Sequence, residues 1–210
     1  MVDKKIILVG AGGHASACID LLESLNHYSI AGLVANQSEL NNVKFGYAVN
    51  GTDDDIPELA KKYTYALVAI GQIESPLNRI RVFDLLVNAG FILPTIISPN
   101  SYVSPHAIID SGSVVMPGAI VGPGAVIGKN CIINSRALIE HDALVEDHTH
   151  VSTGAILNGS VKVGSGSFIG SGTVIKEGVV IQNQCMIGMG LLIKDNISFG
   201  QKITGKNESK

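Results

Sequence analysis

"MPGAIVGPGAVIGKN", residues 116–130, repeats one small pattern at a spacing of six. Val121 and Ile127 each come two residues after an alanine and one before a glycine. Extending that step in both directions gives positions 97, 103, 109, 115, 121, 127, 133, 139, 145, 151, 157, 163, 169, 175, 181, 187, 193 and 199. They read I, V, I, V, V, I, I, I, V, V, L, V, I, I, I, I, I, F, with no insertion. A helix cannot keep a six-residue period on one face, and a hairpin meander would alternate every second residue. Three short faces per coil do account for it: every eighteenth residue returns to the same face, and the large slot points inward. Two positions before the slots, from Thr95 to Thr149, the residues read T, S, A, S, A, A, C, A, A, T, so a small side chain accompanies each large one. Residues 97–210 are therefore read as a parallel β-helix of about six coils. The residues just before the slots, such as Ile120, Val126 and Ile132, are also apolar, and outward apolar side chains call for a covering partner.

Residues 1–96 follow a different rhythm. "KKIILVGAGGHA" is an apolar run ending in glycines, the pattern of a buried parallel strand turning into a helix. A helix over "SACIDLLESLN", a strand in "YSIAGLVAN", a capped helix in "TDDDIPELAKKY" and a strand in "YALVAIG" come next. A helix over "PLNRIRVFDLLVNAG", closed by Gly90, and a fourth strand in "FILPTII" complete the alternation. The order βαβαβαβ predicts a small Rossmann-like domain over 1–96, with the boundary near Ser98-Pro99.

Composition narrows the class. Apolar residues make up 46% and charged residues 16%, against ~25% charged in an average domain. No apolar run reaches the ~20 residues of a membrane span, and "MVDKK" followed by "IILVG" does not read as a signal peptide. A net charge of −3 without a basic cluster argues against nucleic acid or a membrane surface as partner. The expectation is a soluble cytoplasmic protein. Cys18, Cys131 and Cys185 are spaced for neither a disulfide framework nor a zinc site and are read as buried thiols.

Gly10, Gly12 and Ala15 satisfy G-x-G-x-x-G/A between a strand and a helix. Such a turn aims backbone N–H groups at a phosphate, or simply packs strand against helix. The second strand ends Leu33-Val34-Ala35-Asn36, without the acid a dinucleotide ribose wants, which argues against NAD and for a smaller nucleotide.

"IEHDALVEDHTHVS", residues 139–152, holds three of the six histidines. By the register, Ile139, Ala143, Val145, Thr149 and Val151 point inward, whereas His141, Asp142, Asp147, His148 and His150 do not. Histidines and carboxylates this close could hold a metal, or lie exposed at a corner, but no metal is assigned. Acyl transfer is the reading preferred: an attacking amine or hydroxyl must lose a proton, and an imidazole oriented by a carboxylate can take it. Gly159 lies eighteen residues beyond His141, one coil on; its N–H is the candidate oxyanion donor. Glu140 and Glu146 are read as solvated, and Asp53-Asp54-Asp55 as the cap of the helix at Ile56.

The hexapeptide pattern resembles the β-helix acyltransferases, and the pairing of the two domains resembles the bacterial NeuD/PglD-type sugar O- and N-acyltransferases. Gly10, Gly13 and His14 match that family's G-x-x-G-H turn. Ala69-Ile70-Gly71 matches its "AIGN" element, with Gln72 in place of Asn, and Ala35-Asn36 replaces a common Asp-Asp. The resemblance implies a left-handed helix, a homotrimer with active sites between neighbouring prisms, and acetyl-CoA as co-substrate. It implies that Gly12, Gly13, His14, Asn36, Gly71 and Gln72 hold the nucleotide sugar. By the match of "NSRALIEHDALVEDHTHVSTGAIL", His141 is the general base and Asp142 its orienter. His150 is the histidine beside acetyl-CoA, and Ser171 and Met189 line the pantetheine path. "FGQKITGKNESK" lacks the proline of the family's closing segment, leaving Lys202 or Lys206 as candidates for the coenzyme phosphates.

The function so implied is an acetyl-CoA-dependent N-acetyltransferase acting on a nucleotide-linked 4-amino-6-deoxy sugar for surface polysaccharide or glycan synthesis. The alternatives are an O-acetyltransferase of the sialic-acid type, a non-catalytic β-helix protein that binds a nucleotide sugar, and a nicotinamide oxidoreductase. The His-Asp pair with Gly159 speaks against the non-catalytic reading, and the missing acid against the oxidoreductase.

Overall fold

A computed structural model describes residues 4–205, so Lys206 lies outside the described residues. The chain forms two compact units: one runs to Gly71 and resumes over Leu77–Ile96, the other takes Gln72–Pro76 and everything from Ile97. The sequence shows no sign that five residues inside the first segment go with the second unit.

The first unit contains β1 (Lys4–Val9), α1 (Gly13–Glu23), β2 (Tyr28–Val34), β3 (Val43–Lys44), β4 (Tyr47–Gly51), α2 (Ile56–Ala60), β5 (Tyr65–Val68) and α3 (Leu77–Asn88). The sheet order is β3-β4-β2-β1-β5, parallel except for the β3–β4 pair. Ile7, Val9, Val34, Val68, Val82 and Leu86 meet in its core. The strand predicted in "FILPTII" is reduced to one bridge, Ile92 to Tyr65, after which Pro94 offers no N–H to continue a ladder. The missing partner strands are β3 and β4, joined by Phe45 and Gly46 at φ 47° and 87°. Two positive φ values in a two-residue loop make the hairpin turn whose twist suits its strands. A phenylalanine in the first of those positions hides the turn from sequence rules.

The second unit winds through two-residue strands. Those at Tyr102–Val103, Ile120–Val121, Leu138–Ile139, Ile156–Leu157, Val174–Ile175 and Leu192–Ile193 pair in parallel into one face. Ile108–Ile109, Val126–Ile127, Leu144–Val145, Lys162–Val163 and Val180–Ile181 form the second, and Ile96–Ile97 through Lys202–Ile203 the third. This is a left-handed parallel β-helix. Every slot from Val115 to Ile193 is at most 7% exposed, each such side chain contributing roughly 1.5–3 kcal/mol of burial. Buried hydroxyls fill some of the small positions without penalty. Ser113 Oγ, for example, donates to the Gly128 carbonyl at 2.6 Å and accepts the Cys131 N–H at 2.8 Å.

The period fails at its ends. Ile97 is 36% exposed, and Phe199, read as an inward slot, is 62% exposed. Ile197 bridges Ile181 in its place and Ile203 pairs with Ile187, so the last coil is two residues short. Outward side chains differ by face. The first carries Tyr102, Ile120, Leu138, Ile156, Val174 and Leu192, and the second is apolar except for Lys162. Ile120 and Val126 are exposed as predicted; Ile132, on the third face, is fully buried within this one chain and needs no partner to cover it.

Candidate active site

The glycine turn opens a cavity of about 430 Å³ lined by Gly10–His14, Val34–Asn36, Glu39, Asp53 and Ala69–Gly71, with Asn78, Arg81 and Val82 from α3. Each glycine has its own reason. A Cβ on Gly10 would sit 2.7 Å from the Ala69 carbonyl oxygen, so Gly10 packs β1 against β5. Nothing lies within 4 Å of a Cβ on Gly12 or Gly13, so packing does not demand glycine there. Their backbone faces open space at the start of α1, whose N-cap Gly12 has no side-chain cap, an arrangement suited to an anion.

The cavity gathers Gly12, Gly13, His14, Asn36 and Gly71 as the sequence predicts, and leaves Gln72 out. It adds groups the sequence does not point to. Arg81 pairs with Asp53 at 2.8 Å and donates to Asn78 Oδ1 at 3.0 Å. From the unpredicted hairpin, Lys44 Nζ donates to the Gly12 carbonyl at 2.9 Å and to Ser16 Oγ at 3.0 Å, placing a cation beside the turn. Asn36 is tied to Glu39, whose carboxylate accepts its Nδ2–H at 3.0 Å. Glu39 thus supplies, near the end of β2, the acid that Ala35-Asn36 does not. Of the three aspartates before α2, Asp55 is the capping partner: hydrogen bonds from the Thr52 N–H and hydroxyl hold its carboxyl below the usual range. His14 Nε2 lies 3.5 Å from Cys18 Sγ, but burial pushes that thiol up to about 12, against the pull of Arg79, so it is no nucleophile.

The second site lies on the corner between the first and second faces of the β-helix. His141 Nδ1 and Asp142 Oδ2 are 2.9 Å apart, both side chains well exposed. Every sixth residue from Gly112 to Gly190 takes φ between 51° and 73°, and Asp142, at 58°, occupies one such corner. Aspartate tolerates this region better than most residues. The eighteen-residue step stacks His141, Gly159 and Glu177 in one column, joined through Ser160 N–H to the His141 carbonyl at 2.9 Å and Gly178 N–H to the Gly159 carbonyl at 3.0 Å. A Cβ on Gly159 would lie 2.5 Å from His141 Nε2 and 2.6 Å from Cε1, so the imidazole occupies the space that glycine leaves. The Gly159 N–H meets no acceptor among the described residues. These residues, with Glu140, Asn158, Ser160 and Gly178, line an open groove of about 500 Å³. Glu140, read as merely solvated, and Glu177 therefore face the base's groove. The column step, applied once more beyond Gly159, would have found Glu177.

His150 lies elsewhere, outside the prism yet only 7% exposed. Its Nδ1 is 2.7 Å from the Gln72 carbonyl and its Nε2 is 3.1 Å from Asn134 Nδ2, with Phe168 edge-on at 5.2 Å. Gln72 is buried; its Nε2 donates to the Gly166 and Ser167 carbonyls at 3.2 and 3.1 Å, while Oε1 has no partner among the described residues. An unmet buried acceptor costs about 1–3 kcal/mol, so the two donated bonds are what this side chain is held for. His148 Nδ1 lies 3.0 Å from Asn130 Nδ2. Ser171 Oγ is 2.9 Å from Ser152 Oγ, and Met189 is 80% exposed; both face outward. Lys202 pairs with Glu74 at 3.3 Å.

Known proteins bring the two halves together. The PglD N-terminal domain family matches residues 5–84, and the GMPPB C-terminal domain family matches residues 97–209. The acetyltransferase domain of PglB from Neisseria gonorrhoeae, solved with acetyl coenzyme A, is 30% identical, with 95% of each chain covered and a TM-score of 0.87. A histidine-to-asparagine variant of perosamine N-acetyltransferase from Caulobacter crescentus, solved with CoA and GDP-perosamine, is 27% identical over 98% of this chain and 99% of that one, at 0.86. PerB from the same organism, with the same two ligands, is 27% identical over 97% and 93%, at 0.85. No curated protein sequence matches the chain.

Proposed function

Because the chain belongs to the NeuD/PglD-type sugar acetyltransferases, we propose that it moves an acetyl group from acetyl-CoA to the amine of a nucleotide-linked 4-amino-6-deoxy sugar, with His141 as general base. Acetyl-CoA-dependent N-acetylation of a nucleotide-linked amino sugar is the activity of this chain. The residue assignment and the finer identity of the sugar are our reading. A place in surface polysaccharide or glycan synthesis goes with that sugar.

One observation carries the residue assignment: Nδ1 of His141 faces Asp142, and Nε2 faces the space above Gly159. Asp142 accepts the Nδ1–H, which leaves the Nε2 lone pair free for a proton. The amine nitrogen forms its bond to the thioester carbonyl carbon and loses a proton to Nε2. The Gly159 N–H donates to the oxyanion that develops. As the C–S bond breaks, the imidazolium returns its proton to the leaving sulfur. Ser171 and Met189 line the pantetheine path in this reading, and Gly12, Gly13, His14, Asn36 and Gly71 hold the nucleotide.

Release of free thiol from acetyl-CoA, measured with UDP-, dTDP- and GDP-linked amino and hydroxy sugars, tests the reading. Turnover is expected with an amino sugar; turnover with none of them would leave only binding.

We also infer a homotrimer. The His141 corner lies between the two faces whose outward ladders, apolar except for Lys162, stay exposed or half-buried in a single chain, and a second copy laid on one of them would wall the groove. Leu138→Arg combined with Ile156→Arg is expected to shift sedimentation from trimer to monomer, with activity falling alongside. A wild-type protein that sediments as a monomer would refute the assembly.

A further inference from the structure

We infer that Lys176 and Lys194 hold the pyrophosphate of acetyl-CoA, in a second cavity that continues the His141 groove along the same corner of the β-helix. The inference rests on the reading of that groove as the site of acyl transfer.

The repeat itself sets up the corner. The residues that follow the inward slots of the first face read Gly122, Glu140, Asn158, Lys176, Lys194. Because those slots pair in parallel at steps of eighteen, the five stack in one column beside His141 and Gly159. Charge along the column therefore reverses, from a carboxylate at the level of the base to two ammonium groups further on. The lysines line a cavity of about 430 Å³ whose apolar floor is Val174 and Leu192. Asn158 and Glu177 line both this cavity and the groove of His141, so the two adjoin.

The fold makes no use of either ammonium group. Both lysines are exposed, and neither side chain has an ion-pair or hydrogen-bond partner among the described residues. Glu177 and Asp195, in the neighbouring column, do not pair with them. Two cations one coil apart repel each other, and an anion that bridges both relieves the repulsion. Lys202, by contrast, is already paired with Glu74.

The spacing suits this donor. At the ~4.8 Å between parallel strands, Lys194 stands about 10 Å along the prism from the level of Gly159. A thioester whose carbonyl oxygen meets the Gly159 N–H places its sulfur at that level. From the sulfur, the pantetheine arm runs through about thirteen bonds to the first phosphorus, as far as four to five extended residues, roughly 15 Å. Lysine's flexible four-carbon stem covers the remainder. On the way the arm passes Glu177, an acceptor for an amide N–H, and lays its dimethyl carbon against Leu192. In the trimer inferred above, the second copy supplies the facing wall.

The test compares Lys176→Glu/Lys194→Glu with wild type on three donors. Acetyl-CoA carries the pyrophosphate and the 3′-phosphate, acetyl-dephospho-CoA only the pyrophosphate, and S-acetylpantetheine neither. The wild-type preference for acetyl-CoA over S-acetylpantetheine, in kcat/KM, is expected to fall roughly tenfold or more in the variant, mainly through KM for acetyl-CoA. Acetyl-dephospho-CoA should lose as much as acetyl-CoA. A merely structural role would slow all three donors alike, and an unchanged preference overturns the inference. A loss with acetyl-CoA that is absent with its dephospho form overturns the assignment to the pyrophosphate. Calorimetric titration with CoA should show the same weakening without any sugar present. It therefore still decides if no acceptor turns over or if His141→Ala keeps its rate, results that would count against the proposed function alone. Should the glutamates alter sedimentation, Lys176→Ala/Lys194→Ala, which brings no new charge to the corner, decides by the same measurements.

Discussion

His141→Ala is expected to lower kcat by roughly 10²–10⁴-fold while coenzyme affinity stays near wild type, the usual scale for losing a general base. The fold should not notice. The imidazole is exposed, its one short contact is to the neighbouring Asp142 carboxylate, and the inward slot beside it, Ile139, is untouched. Surface substitutions of this kind usually change stability by no more than about 0.5 kcal/mol. Steady-state kinetics with a thermal melt separate the two effects. A variant that keeps more than roughly a tenth of the wild-type rate would end the assignment, because a base worth less than that falls below the catalytic range of such groups.

Gly159→Ala should cost nearly as much, for a different reason. The added methyl would fall 2.5 Å from His141 Nε2, far inside van der Waals contact. Gly159 does not carry a left-handed φ, so alanine meets no backbone strain there. What gives way is the exposed ring, which swings off the position from which Nε2 reaches an amine. The melting temperature is expected to change little and kcat to fall on the order of 10²-fold, because small misplacements of a reacting group carry costs of this size. The double variant His141→Ala/Gly159→Ala sharpens the claim: it should be no slower than His141→Ala, since the methyl then has no ring to displace. Additive losses would mean that Gly159 acts independently of the base. An alanine keeps its N–H, so the substitution probes the space and not the oxyanion donor.

Much of this was legible in the chain because it is periodic. A slot filled every six residues states the winding, the inward register and, at eighteen, the vertical neighbours, so His141 over Gly159 follows from counting. The glycine turn was legible for a related reason: a strand, a tight turn and a helix start are contiguous in sequence. Tertiary structure decided what periodicity and adjacency do not encode. Lys44 reaches the Gly12 carbonyl from a hairpin 32 positions away, and Gln72 reaches His150 across 78. Ile197 takes the slot that counting gives to Phe199, because at an open end the chain is free to drop two residues and still pack a partly buried isoleucine against the core. Local repeats of packing leave a pattern in sequence, whereas a single long-range hydrogen bond leaves only two polar residues, each of which reads equally well as solvated. His150 is the plainest case: the sequence sets it outside the prism, and it is the tertiary structure that buries it against the Gln72 carbonyl, the Asn134 carboxamide and the Phe168 ring.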